Sequence, residues 1–94
     1  MSSPLTQTDI SYKVKKLSGW NYENNKLSKS YKFNNFKESL AFIVRIGLEA
    51  EIMQHHPEIY NVYNRVKIDL QTHDAGAKVT QKDIDLASAI DKIV

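Results

Sequence analysis

His55, His56 and His73 are the chain's only histidines, the first two adjacent and the third not far downstream. Imidazole is the side chain whose ordinary titration lies nearest neutrality, so two or three in one cleft can donate and accept protons with little tuning. Metal binding is a poorer reading. Adjacent imidazoles diverge on a helix end or an extended chain, and the three- or four-residue spacing of a two-ligand site is missing, although Glu51, Asp74 or Asp83 could add a carboxylate. Nucleophilic catalysis has no cysteine and no serine elbow, and Gly19, Gly47 and Gly76 do not make a phosphate-cradling loop. The residues point to acid–base chemistry by imidazoles, with no metal.

Glu51 stands out on the helix that leads to His55. It lies off the charged stripe of Glu38, Arg45 and Glu49, among apolar neighbours. One turn before His55, at a spacing where helical side chains meet, it can orient that imidazole and favour its protonated form. The alternative is that a fraying last turn exposes it.

These residues must be placed by the elements around them. Ile10, Val14 and Leu17 recur at helical spacing behind Thr8 and Asp9, either of which can cap, and Gly19 follows as a stop, which predicts a short first helix. Leu27, Lys29, Tyr31 and Phe33 alternate with Ser28, Ser30 and Lys32, and Asn24 and Asn25 supply a turn, which predicts a hairpin. Asn35 and Glu38 make a capping-box-like start to a long helix from Phe36 to about Gln54, before Pro57. Ile59 to Tyr63 and Val66 to Thr72 read as two strands around a tight turn at Asn64 and Arg65. Thr80 and Asp83 can cap a last helix carrying Ile84, Ala87, Ile90 and Ile93 or Val94. This α-β-β-α-β-β-α order predicts an α+β fold over residues 1–94 as a single domain, with three helices on one face of a four-stranded antiparallel sheet. His55 and His56 then lie where the long helix ends and His73 where the last strand ends.

Composition narrows the classes. Ninety-four residues leave a lone domain little stability margin, and 41% hydrophobic with 26% charged residues is ordinary for a globular protein. No apolar run reaches membrane-spanning length. Without cysteine there is no disulfide framework, and Met1 to Thr8 lacks the basic flank and apolar stretch of a secretory signal, so a cytoplasmic location is expected. Thirteen basic against eleven acidic residues give a net charge of +2, too small for a protein whose main work is gripping phosphate backbones. Lys13, Lys15 and Lys16 read as a solvated helix face or, alternatively, as a site for an anionic partner. The long helix is apolar around most of its circumference, more than one sheet can cover. A homodimer or homotetramer is expected, the alternative being that the extra apolar residues sit under loops of a monomer.

Glu51, His55-His56-Pro57, Asn61-Val62-Tyr63, Val66, Leu70 and Thr72-His73-Asp74 together resemble the pterin-4a-carbinolamine dehydratase family. The likeness extends through Gly19-Trp20, the alternating Leu27 to Phe33, and Thr80, Asp83, Leu86 and Ala87, so it covers nearly the whole chain. The resemblance implies removal of the 4a-hydroxyl of a 4a-hydroxytetrahydropterin to give the quinonoid dihydropterin, recycling tetrahydrobiopterin, with neither metal nor organic cofactor. It implies that His55 and His73 are the acids flanking the 4a-carbon and that His56 binds and positions the pterin, with Glu51, Pro57, Thr72, Asp74 and Asp83 binding substrate or supporting the site. Animal relatives also act as dimerisation cofactors of a homeodomain transcription factor, an alternative role for the apolar helix. The chain departs from the family's pattern at Gln54, where an acidic residue is common, at Ile59, where tryptophan is, and at Lys82, where arginine is frequent. It also departs in Gly76-Ala77-Lys78-Val79, which lacks the usual second glycine and leucine.

Overall fold

The structure is a computed structural model that describes residues 3–93. Helix α1 (Gln7–Val14) leads into β1 (Asn21–Glu23) and β2 (Lys26–Lys32), helix α2 (Phe36–Met53) into β3 (Glu58–Val62) and β4 (Arg65–Leu70), and a 3₁₀ turn (His73–Ala75) into helix α3 (Gln81–Ile93). The order matches the expected one, with the 3₁₀ turn added. The four strands form one sheet in the order β1-β2-β4-β3, every neighbouring pair antiparallel.

Alternation explains the layering. Leu27 and Tyr31 of β2 and Val66, Ile68 and Leu70 of β4 are buried, and they join Phe42 and Ile46 of α2 and Leu86, Ala87 and Ile90 of α3 in one core. Ser30, Lys32, Arg65 and Lys67, at intervening positions, are exposed, as period two demands. On α3, Ile84, Ala87 and Ile90 face the core as their spacing predicts, and Ile93 packs against it. Val94 lies outside the described residues.

Several boundaries differ from expectation for local reasons. The cap of α1 is Thr6, not Thr8 or Asp9: its hydroxyl accepts the Asp9 N–H at 3.1 Å, which places Asp9 in the first turn, where a carboxylate suits the helix dipole. The β3–β4 turn falls at Tyr63 and Asn64, one residue early, with Val62 paired to Arg65. Tyr63 takes a left-handed φ of 50°, and the Asn61 amide holds the turn through the Tyr63 and Arg65 carbonyls. Strand β4 ends at Leu70, so Thr72 makes only an isolated bridge to Lys78. Asn35 caps α2 as expected, accepting the Glu38 N–H at 2.9 Å, while the Glu38 carboxylate reaches back to the Asn34 N–H.

Helix α2 has two apolar faces. Phe42, Ile46 and Ala50 are buried, whereas Phe36, Leu40, Val44, Leu48 and Ile52 are exposed, Ile52 by 76%. The exposed five follow an i, i+4 row and form one ridge along the helix. Among the lysines of α1 and its exit, Lys13 donates to the Gln81 side chain and Lys16 lies over the Tyr12 ring, so both have partners within the chain.

Candidate active site

The end of α2 sets His55. Gln54 adopts the left-handed conformation (φ 50°, ψ 43°), the Gln54 N–H bonds the Glu51 carbonyl at 3.2 Å, and the His55 N–H bonds the Ala50 carbonyl at 3.1 Å. This is the Schellman arrangement with glutamine where glycine is usual, a conformation costing a side-chain-bearing residue about 1 kcal/mol or more. The Gln54 amide offsets part of that cost by donating to the Glu51 carbonyl at 2.7 Å. The chain reverses there and sends His55 inward and His56 outward.

His55 is 8% exposed, and its Nε2 lies 2.5 Å from Oδ1 of Asp83, which is fully buried. The other Asp83 oxygen accepts the Thr72 hydroxyl and the Thr80 N–H, each at 2.9 Å. The Thr80 hydroxyl lies 2.7 Å from that of Thr72 and accepts the Lys82 N–H at 3.2 Å. Thr80 thus caps α3 through the Lys82 N–H, the Asp83 carboxylate reaches back to the Thr80 N–H as in a capping box, and the same carboxylate anchors His55.

His73 is set by the loop between β4 and α3. Thr72 N–H donates to the Lys78 carbonyl at 2.8 Å and Lys78 N–H to the Thr72 carbonyl at 3.3 Å, closing a small loop with His73 at its start. Gly76 (φ 75°) and Ala77 (φ 57°) both take left-handed backbone, so the missing second glycine leaves Ala77 in a conformation that glycine adopts without steric cost. The His73 ring is exposed and, among the described residues, has no hydrogen-bond partner.

His55, His56, Thr72, His73 and Asp74, with Gln54, Gln71 and Lys82, line one cleft of about 170 Å³. The three histidines expected to share a pocket do so. Glu51 departs from expectation: its carboxylate lies 2.5 Å from Nε2 of His56, not on His55, and both side chains are largely exposed. The αL residue at Gln54 turns the chain before His55, so the simple i, i+4 pairing never forms and His55 turns to Asp83. Asp83 underlies the cleft through His55, and Pro57 and Ile59 are not among its lining residues. Ile59 sits opposite Ile68 and packs against the core, while Tyr60 points to the outer face.

Gln71 was not singled out from the sequence. Its amide donates to the Asn25 and Ala77 carbonyls, tying the β1–β2 turn to the loop that carries His73. Thr80 stands in the sequence as a cap and as part of the family likeness; its place in the Asp83 network follows from the register between Thr72 and α3. Among the described residues no group of three or more His, Cys, Asp or Glu is arranged to hold a metal ion, and no helix is long and apolar enough to cross a membrane.

The sequence profile of pterin 4 alpha carbinolamine dehydratase matches residues 3–93. The chain belongs to that family. A relative from Opitutus terrae, named as a candidate pterin-4-alpha-carbinolamine dehydratase, is 50% identical over 93 residues, covering 99% of this chain and 96% of its own. One from Sulfolobus acidocaldarius, named likewise, is 46% identical over 89 residues, covering 95% and 97%. Among solved structures, a transcriptional coactivator/pterin dehydratase from Brucella melitensis superposes with a TM-score of 0.91 at 33% identity, over 97% of this chain and 98% of that one. Membership supports a pterin carbinolamine dehydratase activity, and the likeness of fold extends over the elements that carry the cleft.

Proposed function

We propose that this chain dehydrates 4a-hydroxytetrahydropterins to quinonoid dihydropterins, with His55, His56 and His73 as its catalytic trio, and so recycles tetrahydrobiopterin in the cytoplasm, residues 1–94 acting as one domain. The observation that carries the reading is the convergence of the only three histidines on one cleft in a member of this family. Breaking the carbon–oxygen bond needs a proton delivered to the departing hydroxyl while the ring nitrogens supply electron density and a ring N–H proton is given up. His55 and His73 are the acids on the two sides of the 4a-carbon, and His56 positions the ring. Glu51 steadies His56, Asp83 and Thr72 steady His55, Asp74 offers an acceptor at the rim, and Pro57 fixes the chain leaving His56. No metal or organic cofactor enters this scheme.

Decay of a synthetic 4a-hydroxytetrahydropterin, followed by absorbance, tests it. The protein should accelerate the decay, and His56→Ala and the double variant His55→Ala, His73→Ala should abolish the acceleration. Unchanged rates in these variants would sink the assignment.

The exposed ridge of α2 is the natural contact for a homodimer or homotetramer. Sedimentation at low micromolar concentration should give a dimer or tetramer for the native chain and a monomer for Leu48→Glu. A monomeric native chain would contradict it. The same ridge, together with the coactivator description of the Brucella protein, favours a second reading, a helical docking module for a transcription factor without direct DNA contact. A partner retained by a chain lacking all three histidines would favour that role over chemistry.

A further inference from the structure

With Asp83 ionised, the polar groups beneath the cleft can be satisfied in only one direction. A backbone N–H only donates, so the Thr80 N–H fixes Oδ2 of Asp83 as an acceptor. An ionised carboxylate has no hydrogen to give, so Thr72 spends its single hydroxyl proton on the same Oδ2. Thr72 must then accept from Thr80, whose own oxygen takes the Lys82 N–H. What remains is Oδ1, 2.5 Å from Nε2 of His55. As an acceptor, it requires the proton of a neutral His55 ring to sit on Nε2. His55 lines the cleft, and Nδ1 is the ring nitrogen left for it.

We propose that Asp83, locked by Thr72 and Thr80, is the positioning residue that holds His55 in its Nε2–H tautomer and reserves Nδ1 for proton exchange with the substrate. The proton exchange rests on the dehydratase reading above; the tautomer does not. The lock is insulated from solvent, since Thr72, Thr80 and Asp83 are all at least 97% buried, with exposures of 3%, 1% and 0%. Water therefore does not compete for the carboxylate, and the tautomer persists without substrate.

The network also dictates what an isosteric change does. In Asp83→Asn the Thr80 N–H and Thr72 hydroxyl still demand an acceptor where Oδ2 stood, so the amide oxygen takes that place. The amide NH₂ then faces Nε2 of His55, which must become an acceptor, and the ring proton moves to Nδ1. One substitution, nearly unchanged in volume, inverts the tautomer, and with an NH₂ facing Nε2 the ring cannot carry the two protons that let it donate from Nδ1 as an acid.

Nitrogen-15 spectra of the imidazoles in the full chain, recorded without substrate at a pH where the rings are neutral, read this directly. The native chain should show His55 protonated at Nε2, Asp83→Asn should show it protonated at Nδ1, and Thr80→Ser, which keeps the hydroxyl, should match the native chain. In pterin dehydration Asp83→Asn should lower kcat at least about 100-fold while KM shifts far less, and Thr80→Ser should retain the native rate. A native His55 protonated at Nδ1 overturns the proposal even if Asp83→Asn does not fold, and so does an Asp83→Asn chain that keeps the native tautomer and kcat. A native chain that shows the Nε2–H tautomer but dehydrates no pterin would fail the dehydratase reading and leave the lock standing.

Discussion

The two imidazole–carboxylate pairs at the cleft have the same nitrogen–oxygen separation, 2.5 Å, and opposite surroundings. His55 and Asp83 are closed off from solvent, with side-chain exposures of 9% and 0%, whereas His56 and Glu51 stand at 61% and 66%. Water screens the outer pair and can replace either partner, so the contact contributes about 0–1 kcal/mol. The inner pair has no such substitute; removing one partner strands a polar group in the interior at a cost of about 3–5 kcal/mol. Equal distances therefore describe unequal jobs. His55 is a fixed fixture of the fold, held by the same carboxylate that caps α3, and His56 is a side chain free to adjust to what enters the cleft.

The contrast is open to direct attack. The largest effect should come from Asp83→Ala, which removes the acceptor of three hydrogen bonds; urea denaturation should show a loss of about 3 kcal/mol. A loss under about 1 kcal/mol would mean that the inner pair behaves like the outer one.

Tyr31 measures burial without a partner. Its hydroxyl is the one buried side-chain polar atom among the described residues that lacks a hydrogen bond. Tyr31→Phe should be neutral or stabilise the chain by up to about 1 kcal/mol. Burial, with the Asp91 carboxylate adding to it, also pushes the Tyr31 phenol above its ordinary 10.0. The folded chain then keeps a proton that the unfolded chain releases, so stability is full below that ordinary value and falls as pH rises above it. Denaturation at pH 8 and 10.5 should show this alkaline loss reduced in Tyr31→Phe; an equal loss would place its source elsewhere.

The smallest effect belongs to the outer pair. Glu51→Gln should change stability by less than about 0.5 kcal/mol, and raising the salt concentration should narrow the difference further. A loss matching that of Asp83→Ala would erase the distinction between the two pairs.

Periodicity made the layers legible. Alternation in Leu27 to Phe33 and Val66 to Leu70 and the apolar spacing of α2 and α3 match the observed faces because burial repeats at two or near 3.6 residues. The shared pocket followed from the histidines' place at element ends. What the sequence hid was the partnering. Spacing assigned Glu51 to His55, but spacing holds only while a helix continues, and the left-handed backbone at Gln54 ends it first. Glutamine gives little warning of that conformation, where glycine would have. The Asp83–His55 contact joins positions from two distant elements, so no local pattern encodes it.

The central claim is that a reduced pterin sits among His55, His56 and His73. A crystal structure with a bound reduced pterin tests it most directly. The ring should lie in the cleft with ring or hydroxyl positions within roughly 3 Å of imidazole nitrogens. A pterin on the outer sheet face, in the hollow of about 320 Å³ between Tyr60, Val62, Arg65 and Lys67, would contradict it.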